Sequence, residues 1–144
     1  MDTKQAAIRD AVKALVEFKR EFNRDLTVSL LAELYVALEL DLLPASVTNQ
    51  QGFDLIGPDG KRYQVKQRGS GVQNVDINNF EFDHLVLVNL ADDYSVSGMW
   101  RLPVEKAHTV FVCREKFRKY QATQMSVKRN AESLALTKLT ALFP

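Results

Sequence analysis

Gly52-Phe53-Asp54-Leu55-Ile56-Gly57-Pro58-Asp59-Gly60-Lys61-Arg62-Tyr63-Gln64-Val65-Lys66-Gln67-Arg68 is the stretch on which the reading of this chain turns. Residues 52–56 read as a short strand. The turn 57–60 follows, where Pro58 presets one position and Gly60 tolerates positive φ. Asp59 belongs to that turn chemistry. Lys61 to Gln67 is the expected return strand, alternating Tyr63 and Val65 against Arg62, Gln64 and Lys66.

Outward from this hairpin the pattern changes period. Ile8, Val12, Leu15, Phe18 and Phe22 recur at helical spacing and predict an amphipathic helix over 3–24. A second helix is expected from 28 to 42, capped by Thr27 and stopped by Pro44, with Leu30, Leu31, Leu34, Tyr35, Leu38 and Leu42 as its buried stripe. After the hairpin, a polar, glycine-containing loop is expected to run to about residue 79. His84 to Leu90 is a continuous apolar run, as a central strand buried on both faces requires. Asp92-Asp93 opens a turn, Ser95 to Leu102 is a further strand, and Pro103 starts a short helix over 103–110. A final helix is expected over 126–142. With no repeat or linker, 144 residues read as one α/β domain: a mixed β-sheet flanked by helices.

Strand alternation places Gln64, Lys66 and Arg68 on one face, and hairpin pairing brings Asp54 alongside. Charged groups among apolar strand neighbours are costly in a sheet, which points to a role beyond the fold. Phosphodiester hydrolysis suits them. A hard cation such as Mg²⁺ takes oxygen ligands and keeps several waters. Asp54 would be the main ligand, supported by the Val65 carbonyl and the Gln64 side-chain oxygen. Lys66 would orient a metal-bound water or stabilise the transition state. Arg68 would clamp a neighbouring phosphate.

Gly-x-Asp, a hairpin, then Gln64-Val65-Lys66-Gln67-Arg68 resembles the PD-(D/E)XK nuclease superfamily, most of all its restriction-endonuclease members with the Mrr-like Gln-x-Lys variant. The resemblance covers roughly residues 26–105. It implies a restriction-endonuclease-like fold, Mg²⁺ or Mn²⁺ as cofactor, DNA as substrate and a Glu on the preceding helix, a position that Glu33 matches. Phe82 to Val88 resembles the next core strand of such enzymes. Gln64 is neutral, so this metal site has one negative charge fewer than the acidic form and leans more on Glu33. Cutting both strands of a duplex takes two sites, so a homodimer is expected.

Net charge is +1, yet charge is unevenly spread: residues 76–93 hold five acids and no Lys or Arg, whereas 114–129 hold six basic residues against Glu115. Lys116, Arg118, Lys119, Lys128 and Arg129 are therefore candidate nucleic-acid contacts beside Arg68. Sequence specificity would come from this basic third and the loop 67–79. Gln121 and Gln124 read as solvated helix residues, Trp100 and Tyr94 as sheet packing, and Asp76 as outside the site. Cys113 is the only cysteine, which excludes an internal disulfide and points to a buried structural thiol. The N-terminal text is not a signal peptide and no stretch approaches a membrane span, so the expected compartment is the cytoplasm. Two other readings stand beside the nuclease: a lapsed nuclease fold that binds nucleic acid or a protein partner, and an interaction module unrelated to nucleic acid.

Overall fold

A computed structural model describes residues 2–44, 54–69 and 71–143. Gly52 and Phe53, the first part of the hairpin motif, lie outside the described residues. In chain order the elements are α1 (Thr3–Phe22), α2 (Val28–Leu40), β1 (Leu43–Pro44), β2 (Leu55–Ile56), β3 (Arg62–Arg68), β4 (Asn74–Ile77), β5 (His84–Leu90) and β6 (Val96–Pro103). Then come α3 (Val104–Val110), β7 (Val112–Arg114), β8 (Lys119–Thr123), α4 (Gln124–Asn130), β9 (Glu132–Ser133) and α5 (Thr137–Leu142), with a 3₁₀ turn over Glu115–Phe117.

The main sheet is mixed and has the order β1-β2-β3-β5-β6-β9; β3 and β5 are parallel and every other neighbour pair is antiparallel. The turn joining β2 to β3 places Gly60 at φ 81°, and Asp59 accepts the Lys61 N–H (3.0 Å) as turn chemistry requires. At the centre, β5 is buried on both faces, the reason its sequence is apolar without alternation. Its Val86 and Val88 pack with Ala32 and Val36 of α2, Tyr63, Val65 and Leu139 of α5. On the other face, Leu85 and Leu87 pack with Val75 and Ile77 of β4, Ala122, Ala107 and Val127.

Several sequence expectations need correcting. The loop expected to reach residue 79 contains β4, which joins β8 and β7 in a second, three-stranded sheet. The helix expected over 126–142 breaks into α4, β9 and α5, because Glu132 and Ser133 pair with Arg101 and Trp100 on the edge of the main sheet. Cys113 is exposed, as are all residues of the edge strand β7. Tyr94 is exposed in the turn before β6 at φ 67° and does not pack in the sheet. The α2 stripe is rotated from the expected one. Leu30, Ala32, Glu33, Val36 and Glu39 are its buried residues, whereas Leu38 is 43% exposed. Helix α1 forms with a capping box from Asp2 and Gln5, but none of its residues is buried, and Ile8, Val12, Leu15 and Phe22 stay exposed. Among the described residues, no helix is long and apolar enough to cross a membrane.

Candidate active site

β2 runs beside β3 for only two residue pairs, Leu55 with Tyr63 and Ile56 with Arg62. Among the described residues no strand pairs with this edge of β3 beyond Tyr63, and Asp54 lies against it. Its N–H donates to the Tyr63 carbonyl (2.8 Å) and its Oδ2 accepts the Val65 N–H (2.9 Å). A residue's N–H and C=O point to the same edge of a strand, so the Val65 carbonyl faces the edge where the Asp54 carboxylate sits.

Glu33 comes from α2, which packs on the face of β3 that carries Tyr63 and Val65. Its carboxylate is buried, with Oε2 accepting from Arg24 Nη2 at 3.2 Å. Burial, and next the charge of Asp54, push the Glu33 carboxyl up to about 7, against the opposing pull of Arg24. The two acids are thus electrostatic neighbours, and ionising both in one half-dry place is unfavourable unless a cation joins them.

Gln64, Lys66 and Arg68 alternate with Tyr63 and Val65 and so lie on the opposite face of β3 from α2. Lys66 is half-buried there. Burial holds its ammonium below the ordinary value, Arg68 and Lys119 add to that push, and Asp54 and Asp76 oppose it. Lys66 therefore feels the Asp54 charge from one face while Glu33 meets it from the other; the strand edge is where the two faces join. The Gln64 side chain makes no hydrogen bond among the described residues and is half-buried beside this edge. Asp54, Glu33 and the Val65 backbone come together, Lys66 stands within charge range, and Gln64 and Glu33 approach from different faces. Among the described residues, no group of three or more His, Cys, Asp or Glu converges. Two carboxylates with a carbonyl remain a donor set of the kind Mg²⁺ accepts, since that ion keeps several waters.

The outlying candidates fare differently. Arg68 is tied to backbone, Nε to the Asn74 carbonyl (2.9 Å) and Nη1 to that of Gln67 (2.7 Å). Lys119 is paired with Asp76 (3.1 Å), which also accepts from Gln121 (2.8 Å). Lys128 lies over the Trp100 ring, 4.3 Å from its centroid. Lys128 and Arg129 border a groove with Val72, Gln73 and Met125, while Lys116 and Arg118 sit at the turn between β7 and β8. The basic segment is thus divided among separate places. Gln124, read as solvated, is buried: it accepts from Asn89 (2.8 Å) and donates to the carbonyls of Gly69 (2.9 Å) and Val72.

The sequence reading missed Arg24 and the Asp76–Lys119 pair. Arg24 lies nine residues before Glu33, outside any helical spacing, and only the tertiary turn between α1 and α2 brings it back. Asp76 and Lys119 meet through the pairing of β4 with β8, a sheet that the polar text of 74–77 concealed. No protein-family model matches this sequence, and a comparison with curated proteins finds no match either.

Proposed function

We propose that this chain is a divalent-metal-dependent deoxyribonuclease, an endonuclease that hydrolyses DNA phosphodiester bonds with a PD-(D/E)XK-like site. The observation that carries this reading is the pair of carboxylates beside the edge of β3: Asp54, fixed by the Val65 N–H, and Glu33, buried against it. Asp54, Glu33 and the Val65 carbonyl would hold Mg²⁺ or Mn²⁺, with the Gln64 amide oxygen as a neutral supporting ligand. When bound there, such an ion would lower the pKa of a coordinated water and offset phosphate charge. Lys66, half-desolvated and close to Asp54, holds a positive charge where the phosphate develops negative charge. Cutting both strands would require a homodimer.

The test is incubation of purified protein with plasmid, single-stranded DNA and RNA, in Mn²⁺ or in EDTA. Cleavage of DNA in Mn²⁺ and none in EDTA is expected. Lys66→Ala and Asp54→Asn should each lower the rate by about 10²–10³-fold. Cleavage by Lys66→Ala at the wild-type rate would refute the assignment. One observation favours a second reading, a lapsed site kept for binding: the Arg24 guanidinium already supplies Glu33 with a positive partner. Calorimetry separates the two readings. Duplex affinity without any Mg²⁺ or Mn²⁺ binding favours the lapsed site.

A further inference from the structure

Among the described residues, the face of the main sheet that α2 covers is left uncovered at its other end. Tyr63, His84 and Pro103 stand side by side across β3, β5 and β6, and α2 contributes no wall there. A cleft of about 510 Å³ opens over them. Its floor is aromatic: the Tyr63 and His84 rings stack with centroids 5.0 Å apart, and Tyr63 is buried. His84 Nδ1 is sealed from solvent with no partner among the described residues. Burial, then Arg101 and Lys61, hold the imidazole below its ordinary value against Asp83 and Glu105.

The rim carries three cations. Lys61 comes from the hairpin turn, Arg101 from β6 and Lys106 from α3. Two acids, Asp59 and Glu132, also line the cleft: Glu132 is paired with Arg101 at 2.8 Å, whereas Asp59 accepts only the neutral Lys61 N–H, so three cations stand against two carboxylates. Lys61 and Lys106 have no carboxylate partner among the described residues. Cations arriving from three separate elements suit a tetrahedral anion that presents oxygens in several directions. A planar carboxylate would be met by one guanidinium fork.

We propose that this cleft is a phosphate-binding site, taking the phosphate group of a nucleotide or of a polynucleotide strand between Lys61, Arg101 and Lys106. The volume is of the size that nucleotide-scale ligands occupy. The inference stands apart from the Asp54 site, because it concerns binding and is tested without metal.

The experiment is titration of the full chain in EDTA with inorganic phosphate, with 5′-dAMP, and with a short oligonucleotide bearing a 5′-phosphate or a 5′-hydroxyl. Binding is followed by calorimetry and by the His84 imidazole NMR signals. Saturable binding that shifts those signals is expected. Lys61→Gln and Lys106→Gln should each weaken it roughly fivefold, the scale of an exposed charge contact. Glu132→Gln should tighten binding, because it frees Arg101 from its intramolecular partner. A 5′-phosphate oligonucleotide that binds better than both dAMP and its 5′-hydroxyl counterpart assigns the cleft to strand ends, dAMP binding better than the oligonucleotide assigns it to free nucleotides, and a 5′-hydroxyl oligonucleotide that binds as well as the phosphorylated one overturns the proposal. His84 signals unmoved by millimolar phosphate, or affinities unchanged in both lysine variants, overturn the proposal.

Discussion

At the scale of residues, Asp54 has two tasks: one oxygen accepts the Val65 N–H on the edge of β3, and the carboxylate faces Glu33. That crowding has a consequence for stability. The folded protein holds the Glu33 proton up to about pH 7, whereas the unfolded chain releases it near the ordinary 4.5. Native Glu33 thus binds more proton than unfolded Glu33 between those values. Its contribution is fully present below about 4.5 and is lost as pH rises through about 7. His84, held below 6.5 by burial, acts with the opposite sign in part of the same window, so the useful quantity is a difference. Metal-free Glu33→Gln should melt several degrees above wild type at pH 8 and lose that advantage at pH 4.5, by thermal denaturation in EDTA. An equal offset at both pH values would show that ionisation of Glu33 is not what strains the site. Asp54 and Lys66 were legible in the sequence because strand alternation has a period of two and the hairpin turn is explicit. The burial of Glu33 was not. Helix α2 is apolar on nearly every side, so periodicity names no unique inner face. The small residues Ala32 and Val36, which let the helix approach β3 and β5, decide its rotation.

At the scale of elements, β5 and the β2–β3 hairpin could be read directly, while the second sheet could not. β4 and β8 are short and alternate buried Val75, Ile77 and Ala122 with polar residues, text that also suits a surface loop. The helix expected over 126–142 failed for a related reason: Leu134 donates its backbone N–H to Met99 at the edge of β6, a tertiary bond that competes with helix. Gln124 shows what such hidden contacts hold together. It sits at the start of α4, its own N–H donates to the Gln73 carbonyl (2.7 Å), and its amide bridges Asn89 of β5 to the carbonyls of Gly69 and Val72. Truncation removes the buried Asn89–Gln124 bond, leaving the Asn89 amide with the Arg68 carbonyl alone, and takes the donor from the part-buried Gly69 and Val72 carbonyls. Gln124→Ala should therefore cost about 2–3 kcal/mol in denaturant unfolding. Amide exchange at residues 71–73 should accelerate as well. A loss below about 0.5 kcal/mol would mean that water replaces the amide without penalty.

At the scale of the whole molecule, two apolar clusters lie on opposite sides of one strand. Val86 and Val88 serve the α2 side, and Leu85 and Leu87 serve the side closed by the second sheet, α3 and α4. Neither cluster can lose its packing while β5 stays in place, because alternate residues of the same seven-residue strand belong to each. The sheet therefore couples the clusters into one cooperative unit. Two substitutions test this. Leu87→Ala strikes one side and Val36→Ala the other. Both side chains are fully buried, so the leucine truncation should cost about 2–5 kcal/mol and the valine somewhat less. Trp100, the single tryptophan, packs against the Leu87 side and reports it by fluorescence, whereas far-ultraviolet circular dichroism reports all helices and strands. In wild type and in both variants the two signals should fall together, with the midpoint shifted by either substitution. Fluorescence that stays native while dichroism falls in Val36→Ala would divide the molecule at β5. The Asp54 and Glu33 carboxylates beside β3 would then rest on a part that opens independently of the rest.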